Sequence, residues 1–239
     1  MSDVSPQEQE IRQQLTFKEV LLQSAFSKGR AISDSISEID LGIFGKEGKE
    51  LVRQMIRDPR HREFGKLIYV LNDRRVLLQD QSTIGDEDST THSFRTNIII
   101  DNPALPWFMR QDRMLGTSLH SHPEDIPPSS EDLFCLLLSD FDYTASAAIF
   151  VSSLQRNFLI FRGKNAPQFT REQINEKIAL WEKSIEERVT KFTGPFMLTS
   201  EQMEINNKAR TALLRQIGQK YDLKIFFGDA NSGKVNLLS

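Results

Sequence analysis

Residues 116–132 restrict the fold more than any other stretch, because they require a strand, a turn and a helix one after another. Small and apolar residues lead into His120 and His122, which predicts a short strand that ends at Pro123. Side chains alternate between the two faces of a strand, so His120 and His122 point the same way, about 7 Å apart. Two imidazoles on one face can converge on one ion.

A helix is expected to begin shortly after this strand. Pro127 and Pro128 interrupt regular structure, and residues 129–132 precede an apolar run that starts at Leu133, which is the pattern of a helix N-terminus. Asp132 then lies in the first helical turn, where the helix fixes its direction, and it can supply a third ligand. Two histidines and one carboxylate, with a fourth position left to water, form the ligand set of a catalytic zinc site.

Each half of this pattern also has a simpler interpretation. A lone His-x-His is more often a pair of surface histidines than a pair of metal ligands. A hydroxyl N-cap followed by acidic residues in the first turn occurs at many helix starts. The prediction of a metal site therefore depends on the combination of the two halves.

The combination resembles the signature of the JAMM metalloprotease family, also called MPN+ or Mov34/JAB. That signature joins an upstream glutamate to H-x-H-P, a short spacer and S-x-x-D, which match residues 120–123 and 129–132 here, most like the prokaryotic branch. The upstream glutamate corresponds to Glu63, which is followed by a glycine and an apolar strand. Compared with the commonest family pattern, the spacer is one residue shorter and the glycine comes one residue early. The resemblance covers roughly residues 46–165.

This resemblance implies a fold, a cofactor and a reaction. The fold is α/β of the MPN type, which is JAB-like and cytidine-deaminase-like, with a mixed β-sheet flanked by helices. His120, His122 and Asp132 bind one zinc ion per chain, Glu63 acts as general base, and Ser129 hydrogen-bonds the oxyanion. The chain is then a zinc metallopeptidase, a deubiquitinase-like isopeptidase that hydrolyses the amide bond after the C-terminus of a ubiquitin-like protein. Its partner is that ubiquitin-like protein or its conjugates.

Several alternatives stay open at this point. Metal-free members of the same family act only as scaffolds in protein complexes, but they lose the ligand set that this chain keeps. A zinc amidase that acts on a small molecule or on cell-wall peptide is a further alternative. Glu124 is a second candidate for the general base. His61 and His92 are further ligand candidates, for which solvent exposure is the simpler interpretation.

Composition limits the partners and the compartment. The chain has 30 basic and 33 acidic residues and a formal net charge of -3, so nothing favours a general polyanion-binding role, and we expect no nucleic acid partner. The single cysteine, Cys135, excludes an intramolecular disulfide and is interpreted as a buried thiol in a reducing compartment. No segment predicts a signal peptide or a membrane span, so we expect a cytoplasmic protein with no membrane partner.

We divide the chain into three parts. Residues 1–45 form an N-terminal extension with one helix over 15–29, residues 46–165 the metalloprotease domain, and residues 166–239 a C-terminal extension. Apolar periodicity predicts helices over 46–56, 170–192 and 200–221, and β-branched and aromatic content predicts strands over 65–71, 75–79, 92–100, 145–151 and 157–162. A C-terminal hairpin is expected from 223–227 and 235–238. The extensions are expected to pack on the domain or position a protein partner, and loop 104–109 is core or one wall of a peptide groove.

Overall fold

One mixed β-sheet connects the parts of the chain that the structure describes. The computed structural model describes residues 13–27, 30–60, 62–84, 113–122, 127–137, 147–193 and 200–238. Within these ranges the sheet has ten strands, namely β1 (Gln13–Thr16), β2 (Ile36–Asp40), β3 (Phe64–Leu71), β4 (Val76–Leu78), β5 (Thr83–Ile84), β6 (Arg113–Ser121), β7 (Ala148–Ser152), β8 (Arg156–Arg162), β9 (Leu223–Asp229) and β10 (Lys234–Leu237).

The strand order brings both ends of the described chain into the same sheet. The order is β1-β2-β10-β9-β8-β7-β6-β3-β4, and β5 pairs with the beginning of β3. Strand β1 is parallel to β2 and β6 is parallel to β7, whereas the other neighbouring strands are antiparallel. The predicted α/β class, a mixed sheet flanked by helices, is therefore confirmed.

Helices cover both faces of the sheet. The described ranges contain five: α1 (Phe17–Phe26), α2 (Ile43–Arg57), α3 (Ser130–Cys135), α4 (Arg171–Thr193) and α5 (Ser200–Tyr221). One hydrophobic core joins α1 and α2 to one sheet face and includes Phe17, Leu51 and Phe150. A second core joins α3, α4 and α5 to the other face and includes Leu133 and Leu214. None of these helices has the length and apolar character needed to cross a bilayer.

Alternation along the central strands explains how one sheet can serve two cores. On β7, Phe150 belongs to the core beneath α1 and α2, whereas its neighbours Ile149 and Val151 belong to the core beneath α3, α4 and α5. The same alternation continues on β8, where Leu159 and Ile160 face opposite cores. Successive strand side chains point to opposite faces, so a continuous apolar run is the pattern of a strand buried on both sides.

Most of the predicted elements are present. The helices expected over 15–29, 46–56, 170–192 and 200–221 correspond to α1, α2, α4 and α5, with α2 beginning at Ile43. The strands expected over 65–71, 75–79, 145–151 and 157–162 correspond to β3, β4, β7 and β8, and the C-terminal hairpin is β9 paired with β10. The sequence did not predict β1, β2 or β5. Strand 92–100 and loop 104–109 lie outside the described residues.

Two glycines lie inside α2. Gly45 and Gly48 are both buried within this helix, which begins at Ile43 and not at the expected residue 46. A Cβ on Gly48 would approach Cβ and Oγ of Ser152 on β7 to 2.9 Å. Glycine at this position therefore allows α2 to approach the sheet closely.

Candidate metal centre

The two predicted histidine ligands lie at the end of β6, a central strand between β3 and β7. His120 and His122 are only 4% and 5% exposed, and their ring centroids are 5.0 Å apart. The backbone N–H of His122 donates to the carbonyl of Ser152 at 2.9 Å, which continues the contact with β7 beyond the end of β6. Two inward-facing imidazoles, rather than surface histidines, are therefore held on a rigid, covered strand.

Helix α3 brings Asp132 to the same place. Ser129 is the N-cap of this helix, and its Oγ accepts a hydrogen bond from the Asp132 N–H at 3.1 Å. In return, Asp132 Oδ2 accepts hydrogen bonds from the N–H and the Oγ of Ser129, both at 2.8 Å. This reciprocal capping box fixes the carboxylate as well as the start of the helix. The prediction that Asp132 lies in the first helical turn is confirmed.

The carboxylate of Asp132 lies against both histidines. Its Oδ1 is 3.2 Å from His120 Nε2, and its Oδ2 is 3.4 Å from His122 Nε2. One ligand atom from each of the three residues can be chosen so that all lie within 4.8 Å of one another, and all three residues are buried. Buried nitrogen and oxygen donors that converge in this way could hold a metal ion.

The surroundings keep Asp132 ionised. Burial by itself would raise the pKa of this carboxyl group, but the charge of His120 and hydrogen bonds from His120 and His122 oppose it and hold the pKa well below its usual value. An ionised carboxylate is the form that binds a cation. The neighbouring imidazoles therefore favour the ionised form of the Asp132 carboxyl group.

Glu63 also lies at this site. It directly precedes β3, and in the antiparallel register of β3 with β6 the last pair is Gly65 opposite His120. Two residues further back, Glu63 reaches the level of His122, and its Oε1 is 3.7 Å from His122 Nε2. The side chain is 15% exposed, so it contacts both the buried group and solvent. The structure thus brings Glu63 together with His120, His122 and Asp132.

The other predicted site residues divide into two groups. Ser129 is at the site, but in this structure its hydroxyl donates to Asp132, so its role in binding an oxyanion stays a prediction. His61, His92 and Glu124 lie outside the described residues. The side chain of Cys135 is likewise outside the described set.

Two residues that support the site were not anticipated. Ser121 lies between the two histidines, and its Oγ accepts a hydrogen bond from the Phe64 N–H at 2.9 Å. Asp58 Oδ2 accepts from the N–H and Nε of Arg62 at 2.9 and 3.0 Å, and its Oδ1 accepts from Nη2 at 3.0 Å. These bonds with Arg62 lower the pKa of Asp58 to about 2. The available signal was a single acidic residue, Asp58, within the otherwise basic run 57–62.

Comparison of the chain with protein-family models, with curated proteins and with solved structures found no match. A function must therefore follow from the chemistry of this site. Three convergent metal-ligand donors beside a second carboxylate that reaches solvent are suited to metal-assisted hydrolysis.

Proposed function

We propose that this protein is a zinc-dependent metallopeptidase of the JAMM type with an MPN fold. The proposed reaction is hydrolysis of the amide bond that follows the C-terminus of a ubiquitin-like protein. The observation that carries this proposal is the buried group of His120, His122 and Asp132 with the Glu63 carboxylate beside it. This group favours the peptidase over a metal-free scaffold, because the scaffold members of the family lose the ligand set that this chain keeps.

The donor set fits zinc. Imidazole nitrogens and a carboxylate oxygen are common zinc ligands, and three protein ligands leave a fourth position open in catalytic sites. Ligand atoms at about 2.0–2.2 Å from a tetrahedral ion are about 3.3–3.6 Å apart. Different oxygens of Asp132 lie near that spacing from the two histidines, with Oδ1 3.2 Å from His120 Nε2 and Oδ2 3.4 Å from His122 Nε2, and one ligand atom per residue can be chosen so that all three lie within 4.8 Å of one another. Zinc held there supplies Lewis acidity, which makes water acidic enough to lose a proton near neutral pH.

Glu63 is suited to carry protons. Its carboxylate lies 3.7 Å from His122 Nε2, beside the ligand group but not part of it, and it reaches solvent. A general base in this position takes a proton from the attacking water and later gives it to the leaving amine. The amine leaves as a neutral group, and the carboxylate is regenerated.

Ser129 has a hydroxyl that can donate a hydrogen bond to the oxyanion. The hydroxyl donates to Asp132 Oδ2, which also accepts the Ser129 backbone N–H. If the hydroxyl turns towards a developing oxyanion, the backbone N–H still holds the Asp132 carboxylate. Ser129 then donates a hydrogen bond to negative charge as it forms, which is where such a bond accelerates acyl transfer.

The direct test uses the full chain loaded with zinc and a set of ubiquitin-like proteins joined through a C-terminal diglycine to a reporter peptide or to a lysine side chain. Mass spectrometry of the products is expected to show cleavage after the terminal glycine. Glu63→Gln is expected to lower the rate by about 10²–10⁴-fold, because the proton acceptor is removed. The matched control is Glu47→Gln, since Glu47 is a half-buried carboxylate that pairs with Lys66.

The other outcomes separate the alternatives. Cleavage of small amides or cell-wall peptides without cleavage of any ubiquitin-like fusion contradicts the proposed substrate and favours a zinc amidase. No hydrolysis of either kind by the zinc-loaded wild type contradicts a peptidase and favours a scaffold. A Glu63→Gln protein that is as active as wild type contradicts the role of Glu63.

A further inference from the structure

The residues from His120 to His122 place side chains on both faces of the sheet. His120 and His122 point to the ligand group, so the side chain between them points to the opposite face. Ser121 is fully buried there. Its hydroxyl does not contact the ligand group but accepts the backbone N–H of Phe64 on the neighbouring strand. The residue before Phe64 is Glu63.

This hydrogen bond lies beyond the end of the regular ladder. The last register pair of β3 with β6 is Gly65 opposite His120, and β3 begins at Phe64. The Ser121 hydroxyl therefore continues the connection between the two strands by one residue, up to the residue that adjoins Glu63. A backbone N–H that is tied in this way limits the rotation of the peptide unit that joins Glu63 to Phe64.

The residue on the other side of Glu63 is also held. Arg62 forms hydrogen bonds to the Asp58 carboxylate through its backbone N–H and its guanidinium group. Asp58 in turn ends α2, where its N–H donates to the carbonyls of Gln54 and Met55. Glu63 thus lies between two anchored neighbours, one fixed to a helix end and the other fixed to the histidine strand.

We propose that Ser121 is a positioning residue for Glu63. By accepting the Phe64 N–H, its hydroxyl fixes the main chain at Glu63 so that the Glu63 carboxylate stays 3.7 Å from His122 Nε2. The effect on catalysis rests on the proposed peptidase function, whereas the effect on the main chain does not. A misplacement of about 1 Å can lower a rate by about 10²-fold, so a single hydrogen bond at this point is important for turnover.

The test compares three variants of the full chain. Ser121→Ala removes the acceptor, and Ser121→Thr keeps it. Ser118→Ala is the matched control, because Ser118 is also buried on β6 and its hydroxyl has no hydrogen-bond partner among the described residues. The measurements are amide hydrogen exchange at Phe64 by NMR, zinc content, and kcat and KM on a ubiquitin-like fusion.

The expected result has three parts. Exchange at Phe64 becomes about tenfold faster in Ser121→Ala, is unchanged in Ser118→Ala and returns towards wild type in Ser121→Thr. Zinc content stays the same, because the Ser121 side chain faces away from the ligands. The value of kcat falls by about 10- to 100-fold in Ser121→Ala with little change in KM, since the base is displaced and the substrate contacts are not.

Two results overturn the proposal. Unchanged Phe64 exchange in Ser121→Ala shows that the hydroxyl does not hold this segment. Loss of zinc together with activity shows that Ser121 acts on the ligands and not on Glu63. If the zinc-loaded wild type cleaves no fusion at all, the proposed function fails by itself, and Phe64 exchange alone then decides whether Ser121 anchors the main chain beside Glu63.

Discussion

Asp132 shows how much of the site depends on the atoms of one residue. Its Oδ1 lies against His120. Its Oδ2 accepts hydrogen bonds from the backbone N–H and the hydroxyl of Ser129 and also lies against His122. The same carboxylate therefore caps α3 and forms the candidate ligand. Groups that orient a metal ligand in this way also set its direction and basicity. The helix start and the candidate metal centre are consequently one structure.

Also at the residue scale, the Asp58 carboxyl group leads to a prediction about how the stability of the folded state depends on pH. Arg62 lowers the pKa of Asp58 from 3.8 to about 2, and a carboxyl group whose pKa is depressed in the folded state stabilises that state above its unfolded pKa. This stabilisation is lost as the pH falls through the folded value. We expect wild type to be more stable than Asp58→Asn near neutral pH, and the difference to close between pH 3.8 and about 2.

Denaturant unfolding measured over a series of pH values checks this expectation. Asp73→Asn is the control, because Asp73 pairs with Arg75 but both side chains are more than half exposed, so the pair contributes little. If wild type and Asp58→Asn differ in the free energy of unfolding by the same amount at pH 7 and at pH 2, the account is contradicted.

At the scale of elements, the contact of α2 with the sheet supports the end of β6. Gly48 on α2 lies directly over Ser152 on β7. The carbonyl of Ser152 accepts the backbone N–H of His122, and its hydroxyl donates to Asn157 on β8. The position of the helix, the end of β7 and the backbone of a candidate ligand are therefore linked through adjacent contacts.

Gly48→Ala tests this contact. Alanine favours a helix over glycine by about 1 kcal/mol, but the added Cβ would lie 2.9 Å from Ser152, and overpacking of this kind costs about 1–3 kcal/mol. We expect a net loss of up to about 2 kcal/mol in the free energy of unfolding, measured in urea. The loss should be smaller when Ser152→Gly removes the opposing side chain. A Gly48→Ala protein that is more stable than wild type would show that the helix does not approach the sheet this closely.

The sequence predicted those elements whose signal is local. Helices α4 and α5 have long apolar periodicity, and β7 and β8 are rich in β-branched and aromatic residues. The pair of histidines and the helix start at Ser129 could also be predicted, because strand alternation and helix capping depend on only a few neighbouring residues. The sequence could not reveal that Gly48 contacts Ser152 or that Ser121 binds Phe64, since the partners are distant in the chain. Strands β1 and β2 have weak sequence signals because they are only 4 and 5 residues long and β2 is buried at only two positions, Ile36 and Ile39.

At the scale of the whole molecule, the sheet and the core beneath α1 and α2 include residues from both ends of the described chain, and the other core includes residues from its C-terminal part. Strand β8 is covered at its edge by β9, which pairs with it from Arg156 to Arg162. The core beneath α3 contains Leu214 and Ile225, and the core beneath α2 contains Phe17 and Leu21. The segments before residue 46 and after residue 165 thus cover apolar surfaces of residues 46–165 that would otherwise be exposed to solvent.

We therefore expect residues 46–165 not to fold alone. Without β9 the strand β8 becomes an exposed edge, and without α1 and α5 both faces of the sheet lose part of their cover. The fragment is expected to unfold without a cooperative transition and to bind a hydrophobic dye, whereas the full chain unfolds cooperatively. A cooperative thermal transition in the isolated fragment would support an independent central domain and contradict this expectation.

The central claim is that His120, His122 and Asp132 form a metal centre served by Glu63. The most direct test is elemental analysis of protein purified without a metal-binding tag, with wild type compared with His122→Ala and Glu63→Gln. We expect about one zinc per chain in wild type, loss of zinc in His122→Ala, and retention in Glu63→Gln, because a base beside the ligands is not itself a ligand. Wild-type protein that holds no zinc, even after zinc is added, would contradict the account.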